Sequence, residues 1–287
     1  MNLSSRARVS EGAGTEPRNT PAESATPEPL HLGRIRWVGF KTIVIREYQR
    51  IVRIWSQTIL PSPVTATLYF VIFGYVIGRR IGSMDGFGYM TYIAPGLIMQ
   101  AVINNSFSNV VSSFFGAKFG KHIEELLVSP LPSWLIVCGY IAGGVMRGMM
   151  VGLVVTAVAL FFTHLPITHP MIIVWSAILT SVIFALGGFI NAMFAKNFDQ
   201  ISIVPTFLLA PLIYLGGVFY SISRLPGWAR HLSLVDPLLY MINAFRFGFL
   251  GVSDVNVGGA IAIMAVVAVG FFIAAVALME RGSGIRE

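Results

Sequence analysis

The sequence has almost no thiol and very little charge. Its single cysteine, Cys138, among 287 residues excludes an intrachain disulfide and leaves no thiolate set for a structural zinc. Only 11% of residues are charged, where soluble domains have about a quarter, so an ordinary soluble fold is excluded. The lysines are four, Lys41, Lys118, Lys121 and Lys196, and none lies in G-x-x-x-x-G-K-[ST]. The chain therefore lacks a phosphate-cradling loop and is not itself an ATPase. H-E-x-x-H and G-x-S-x-G are absent, and His31, His122, His164, His169 and His231 are scattered through tail and loops. No catalytic residue and no metal ligand is assigned, and the chain needs no cofactor of its own. Acidic residues are missing from the middle of every apolar run, which disfavours a proton- or sodium-coupled carrier.

What is present is hydrocarbon: 55% of residues are apolar and the mean hydropathy is +0.74. Six apolar segments, roughly 59–78, 89–116, 133–163, 170–195, 200–221 and 257–279, each reach the ~20 residues needed to cross a bilayer. The fold class is thus an all-α membrane protein with six transmembrane helices. The net charge of +7 is read as a topology signal rather than as nucleic-acid binding. Eleven basic residues flank one side (Arg34, Arg36, Lys41, Arg46, Arg50, Arg53, Lys118, Lys121, Lys196, Arg281, Arg286). The other side has five, Arg79, Arg80, Arg224, Arg230 and Arg246, which places both termini in the cytoplasm. Residues 1–33, rich in Pro, Glu, Ser and Thr, read as a disordered cytoplasmic tail; Arg6 and Arg8 precede no apolar stretch, which argues against a cleaved signal.

Two further segments belong to the membrane without crossing it. Trp37, Phe40, Val44, Tyr48, Ile51 and Trp55 recur at helical spacing with Arg46, Arg50 and Arg53 opposite, which predicts an amphipathic helix lying in the interface. The stretch 222–250 is apolar but broken by Pro226, Asp236-Pro237 and Arg246. It predicts one or two short helices re-entering the outer leaflet between the fifth and sixth spans, with Asp236 as helix cap and Pro237 at the first position.

Polar features within the spans are few. Arg147 lies among Gly143, Gly144, Gly148 and Gly152, where an arginine costs roughly 2.5–3.5 kcal/mol. It either attracts an anionic headgroup or is tied to carbonyls at a helix end. The glycines at i+4 form a stripe on which another helix can pack closely. Asn105, Ser108, Asn109 and Ser112 share one face of the second span, either lining a path or knitting helices together. Pro205 and Pro211 should bend the fifth span, and Gly216-Gly217 loosens its outer end. On the cytoplasmic side, 118–132 reads as a short charged helix bearing Lys118, Lys121, Glu124 and Glu125, then Leu126-Leu127-Val128 and a proline stop. With nothing of its own chain to pack on, it calls for a partner.

In this order, the interfacial helix, six spans, the E-E-L-L-V-S-P-L-P loop at 124–132 and the L-P-x-W, D-P-L-x-Y and F-R elements over 225–246 resemble the ABC-2 type permeases. Within that family the chain is most similar to the half-size inner-membrane subunits of the nodulation and daunorubicin-resistance export group, over residues 34–287. Asp236 departs from the asparagine common in the family. The resemblance implies a bacterial inner-membrane exporter in which two permease chains join two copies of a separate ATPase that binds ATP and magnesium. It implies that Lys118–Ser129, with Leu126 and Leu127, and the Arg46–Arg53 stretch couple to that ATPase. Spans two and five would wall an alternating-access path past Asn105, Ser108, Asn109, Ser112, Arg147, Pro205 and Pro211. Pro226, Trp228, Asp236, Pro237, Tyr240 and Arg246 would form an outer gate. The scarcity of interior charge suggests an amphipathic cargo such as a drug, lipid or lipid-linked glycan. A membrane subunit that recruits or regulates an ATPase without enclosing a path, or a secondary carrier, are the alternatives.

Overall fold

The computed structural model describes residues 32–282. The expected tail up to residue 31, and Arg286, lie outside the described residues. The rest is helical apart from one hairpin and the connecting loops. Helix α1 (Leu32–Arg53) is followed by the composite helix α2 (Trp55–Ile81), which breaks its regular hydrogen bonding at Ile59-Leu60 ahead of Pro61 and turns π-helical over Phe70–Ile77. Ser83–Met84 and Phe87–Gly88 then pair as a two-stranded antiparallel hairpin around Asp85-Gly86, both at positive φ, as a two-residue Asp-Gly turn requires. The remaining helices are α3 (Tyr89–Phe119), α4 (His122–Val128), α5 (Ser133–Phe162), α6 (Pro170–Phe194), α7 (Phe198–Leu215), α8 (Gly227–Val235), α9 (Pro237–Leu250) and α10 (Val257–Arg281).

Five of these, α2, α5, α6, α7 and α10, are long and apolar enough to cross a membrane. Helix α3 is the longest at 31 residues, yet its asparagines, serines and Gln100 dilute its hydropathy. It is also heavily enclosed, packed between α5 and α6. Glycines make that packing possible. A Cβ at Gly144 would meet the backbone carbonyl of Ser106 at 3.1 Å, one at Gly148 would meet Ser106 Oγ at 2.0 Å, and one at Gly188 would meet the Phe107 carbonyl at 2.5 Å. The glycine stripe read from the sequence is therefore the groove in α5 that receives α3.

Several boundaries shift. The second apolar segment runs on to Phe119, so Lys118 belongs to α3 rather than to the short helix that follows. The chain breaks at Gly120 and at Lys121, which is left-handed with φ 58°. The fifth segment stops at Leu215, because Gly217 adopts φ 78° and turns the chain away. The two faces expected of helix α1 are not kept apart. Trp37 and Tyr48 of its aromatic stripe, and Trp55 just beyond its end, are exposed, whereas Ile51 of the same stripe is buried with Ile43 and Glu47, and Arg50 is half-buried toward the bundle. Glycines decide this face: Gly139 and Gly143 of α5 leave room only for Ile43 and Glu47 to press against them. Thus Arg50 is not a free cation on the polar face, whereas Arg46 and Arg53 remain exposed.

Candidate functional site

At the end of the bundle where α1 and α4 lie, α1 is tied to α3 by a buried polar knot. Glu47, only 1% exposed, accepts from Ser113 Oγ through Oε1 and pairs with Arg50 Nη2 at 3.1 Å through Oε2. Arg50 also donates to Ser112 Oγ at 3.1 Å and to the carbonyl and Oδ1 of Asn109 at 3.0 and 2.8 Å. Glu47 was not marked as a site residue by its sequence context, since it lies in an amphipathic helix. A buried carboxylate would reopen the carrier reading, but its charge is matched by Arg50 and its oxygens are occupied. Arg147 lies beside this knot and donates from Nη2 to the Thr58 carbonyl at 3.3 Å, one of the two options open from sequence.

The polar stripe of α3 divides. Asn105 and Asn109 are buried and knit helices, Asn105 donating to Ser62 Oγ of α2 at 2.8 Å and to the Ala101 carbonyl at 2.9 Å. Ser108 and Ser112 are exposed, and with the half-buried Gln100 and Asn104 they form a row at i+4 spacing on an open face of α3. One groove of about 210 Å³ runs between this row and α2, lined by Pro61, Ser62, Tyr69, Gln100 and Asn104. A second, of about 170 Å³, separates it from α7 at Ser108, Ser112, Ile201 and Pro205. Gln100 and Asn104 fall on the same stripe at i−4 steps from Ser108 and could have been found from the helical period. Pro205 opens the π-helical stretch Val204–Leu209, where the Ala210 N–H reaches back five residues to the Pro205 carbonyl. Pro211 is exposed. Arg147 is not brought to this face.

At the opposite end, the segment after α7 has local order. Asp236 caps α9 by accepting from the Leu238 N–H at 2.9 Å, with Pro237 at the first position, as the sequence pattern demands. Its second oxygen is buried without a partner, and burial pushes its carboxyl up to about 6 against the pull of that backbone bond. Tyr240 donates to the Leu234 carbonyl at 2.9 Å, bracing α8 on α9, while Pro226 and Trp228 are exposed on α8. Arg246 is 1% exposed and lies 4.1 Å from the centroid of the Tyr92 ring. It donates to Tyr92 Oη at 3.0 Å and to the Gly217 carbonyl at 2.6 Å. It lines a cavity of about 250 Å³ with Asp85, Tyr92, Asn243 and Asp254. The six residues expected at one gate therefore occupy three separate environments.

On the α4 end, Lys121, Glu124, Glu125 and Leu127 are exposed, Leu126 is half-buried and Ile123 anchors the helix. Lys118 is turned away from them. Its ammonium donates to the carbonyls of Met193 and Ala195 at 2.7 and 2.8 Å, satisfying the last turn of α6.

Residues 38–250 match the family described as ABC-2 type transporter. Over 251 residues the chain is 50% identical to the inner membrane transport permease YadH of Escherichia coli strain K12, covering 88% of this chain and 98% of that protein. It is 23% identical over 256 residues to nodulation protein J of Rhizobium leguminosarum bv. viciae, covering 88% and 96% respectively.

Proposed function

Because the chain belongs to the ABC-2 type transporter family, a membrane-embedded transport permease, we propose that it is the permease subunit of an exporter driven by a separate cytoplasmic ATPase. One observation carries this reading. The row Gln100, Asn104, Ser108 and Ser112 is open at its two serines and half-buried at Gln100 and Asn104, on a helix that is otherwise largely enclosed, between two apolar helices with little packed against them. Polar side chains left facing lipid are unfavourable, so such a row belongs against a second copy of the chain or a water-filled path. In this reading α3 is the sixth span, α8 and α9 re-enter the outer leaflet, and both termini are cytoplasmic in a bacterial inner membrane. Two chains meet across the α3 faces and carry an amphipathic cargo between them.

The exposed edge of α4, Lys121, Glu124, Glu125 and Leu127, then faces the ATPase together with Arg46 and Arg53. Binding of ATP can shift the dimer only if the ATPase contacts differ in energy between its inward- and outward-facing states. Arg50 enters this scheme through Asn109, as the link between α1 and the path helix. The outer-end residues Asp236, Tyr240 and Arg246 hold the lid over the path rather than touching cargo.

The test is cross-linking in the membrane. With Cys138 replaced by serine, Ser108→Cys should form an intermolecular disulfide under mild oxidation, and Val266→Cys, on the exposed face of α10, should not. A partner with a phosphate-cradling motif should co-purify with the chain. Failure of Ser108→Cys to cross-link under conditions where the ATPase is retained would remove the α3 face from the dimer interface.

A further inference from the structure

Arg50 and Arg147 bring two guanidinium charges to the junction of α1, α2 and α5, and one carboxylate answers them. Glu47 and Arg50 form the one ion pair among the described residues. Among the described residues Arg147 has only the long 3.3 Å bond to the Thr58 carbonyl, and its charged neighbour is Arg50, which repels it. The Nε atoms of both arginines are buried without a partner. The other charges on this part of α1, Arg46 and Arg53, are basic as well.

Arg147 is fifteenth of the thirty residues of α5, which by sequence puts it at mid-membrane. The packing sets it beside the start of another span. The first half of α5 runs beside α1, Gly139 against Ile43 and Gly143 against Glu47, and Arg147 is level with Thr58 in the first turn of α2. That turn follows directly on α1, and with α1 in the interface, as its sequence pattern predicts, the guanidinium falls near the depth of lipid phosphates rather than of acyl tails. Arg147 is half-buried, leaving part of its side chain reachable.

The geometry points to a binding site for a phosphate group at Arg147, with Arg50 as the second cation. A phosphate would supply the missing negative charge, and a guanidinium can bind it through two parallel N–H donors. The ligand is the headgroup of an anionic phospholipid or a phosphate from solution. The site rests on the interfacial placement of α1 expected from its sequence but not on the identity of the cargo or on the dimer.

The full chain in phosphatidylcholine nanodiscs is titrated with dioleoylphosphatidylglycerol or with dioleoylphosphatidylcholine, and bound lipid is counted by native mass spectrometry. Wild type should prefer phosphatidylglycerol by about tenfold, the size of one charge-assisted hydrogen bond. The preference should collapse to within about twofold in Arg147→Gln and persist in Arg80→Gln, a control on the exposed opposite end. Equal retention of both lipids, with inorganic phosphate binding to wild type but not to Arg147→Gln, would assign the site to a soluble phosphate. No discrimination in either arm overturns the proposal. Should Arg147→Gln fail to fold, a phosphatidylglycerol with a photoreactive headgroup serves on wild type. Adducts within 55–60 and 145–150 support the site, and adducts only elsewhere overturn it. Quenching of Trp37 and Trp55 by brominated lipids on the same sample tests the interfacial placement separately.

Discussion

Arg50 of α1 grips Asn109 of α3 twice, through the backbone carbonyl at 3.0 Å and the side-chain Oδ1 at 2.8 Å. Asn109 is fully buried, so the two helices cannot slide past each other without breaking both bonds. Arg50→Gln and Asn109→Ala should each cost about 2–4 kcal/mol, because each leaves buried polar groups unpaired. The double variant should cost less than the sum by about 1–3 kcal/mol, the mark of a shared network. Thermal or denaturant unfolding of the four proteins in detergent measures this cycle. Strict additivity would mean that this pair does not couple α1 to α3.

The two kinds of charge around α4 should separate in the same way. Lys118→Met removes the donor to the Met193 and Ala195 carbonyls and should destabilise the chain by about 1–2 kcal/mol while leaving ATPase co-purification intact. Glu124→Lys together with Glu125→Lys touches only exposed positions. It should leave the unfolding midpoint unchanged and weaken ATPase retention severalfold. The opposite pattern in a pull-down and melting series would move the docking surface off α4.

Much of this was legible in the sequence because hydrocarbon length and helix caps are local. Asp236-Pro237 encodes the start of α9 by itself, and the apolar runs mark the helices to within a few residues. Rotation about a helix axis is not local. The stripe from Trp37 to Trp55 reads as the apolar face of an interfacial helix with Arg46, Arg50 and Arg53 opposite, and that pattern does not say which residues of α1 meet the bundle. Gly139 and Gly143, a hundred residues away, choose the face with Glu47 instead. Likewise Asn105, Ser108, Asn109 and Ser112 share one stripe in sequence, but of these four the side chains of α1 and α2 bond Asn105, Asn109 and Ser112 and leave Ser108 open.

The contact between α3 and α5 gives a compact packing test. A methyl at Gly148 would lie 2.0 Å from Ser106 Oγ, a hydroxyl that is itself buried without a partner. Gly148→Ala should destabilise by about 1–3 kcal/mol through overpacking. Adding Ser106→Ala should restore most of the loss, since the Ser106 Cβ left behind stands 3.3 Å away and Ser181 Oγ 3.1 Å. Unfolding midpoints of the single and double variants decide it. A Gly148→Ala protein as stable as wild type would show that α3 and α5 do not approach as closely as described.

Asp236 makes the sharpest prediction about pH. Its carboxyl has an ordinary value of 3.8 and is raised to about 6 in the fold by burial, so the folded state binds the proton more tightly than the unfolded state does. Stability contributed at this site is therefore full below about pH 4, falls as pH rises toward 6, and stays diminished at neutral pH. Asparagine keeps the acceptor for the Leu238 N–H and removes the ionisation. Asp236→Asn should thus be more stable than wild type by on the order of 2 kcal/mol at pH 7.5, with the difference vanishing toward pH 4. Melting curves of both proteins across that range provide the check. A difference independent of pH would mean that the carboxylate is solvated at neutral pH, and a wild type more stable at pH 7.5 would mean that the ionised form has a partner at its second oxygen.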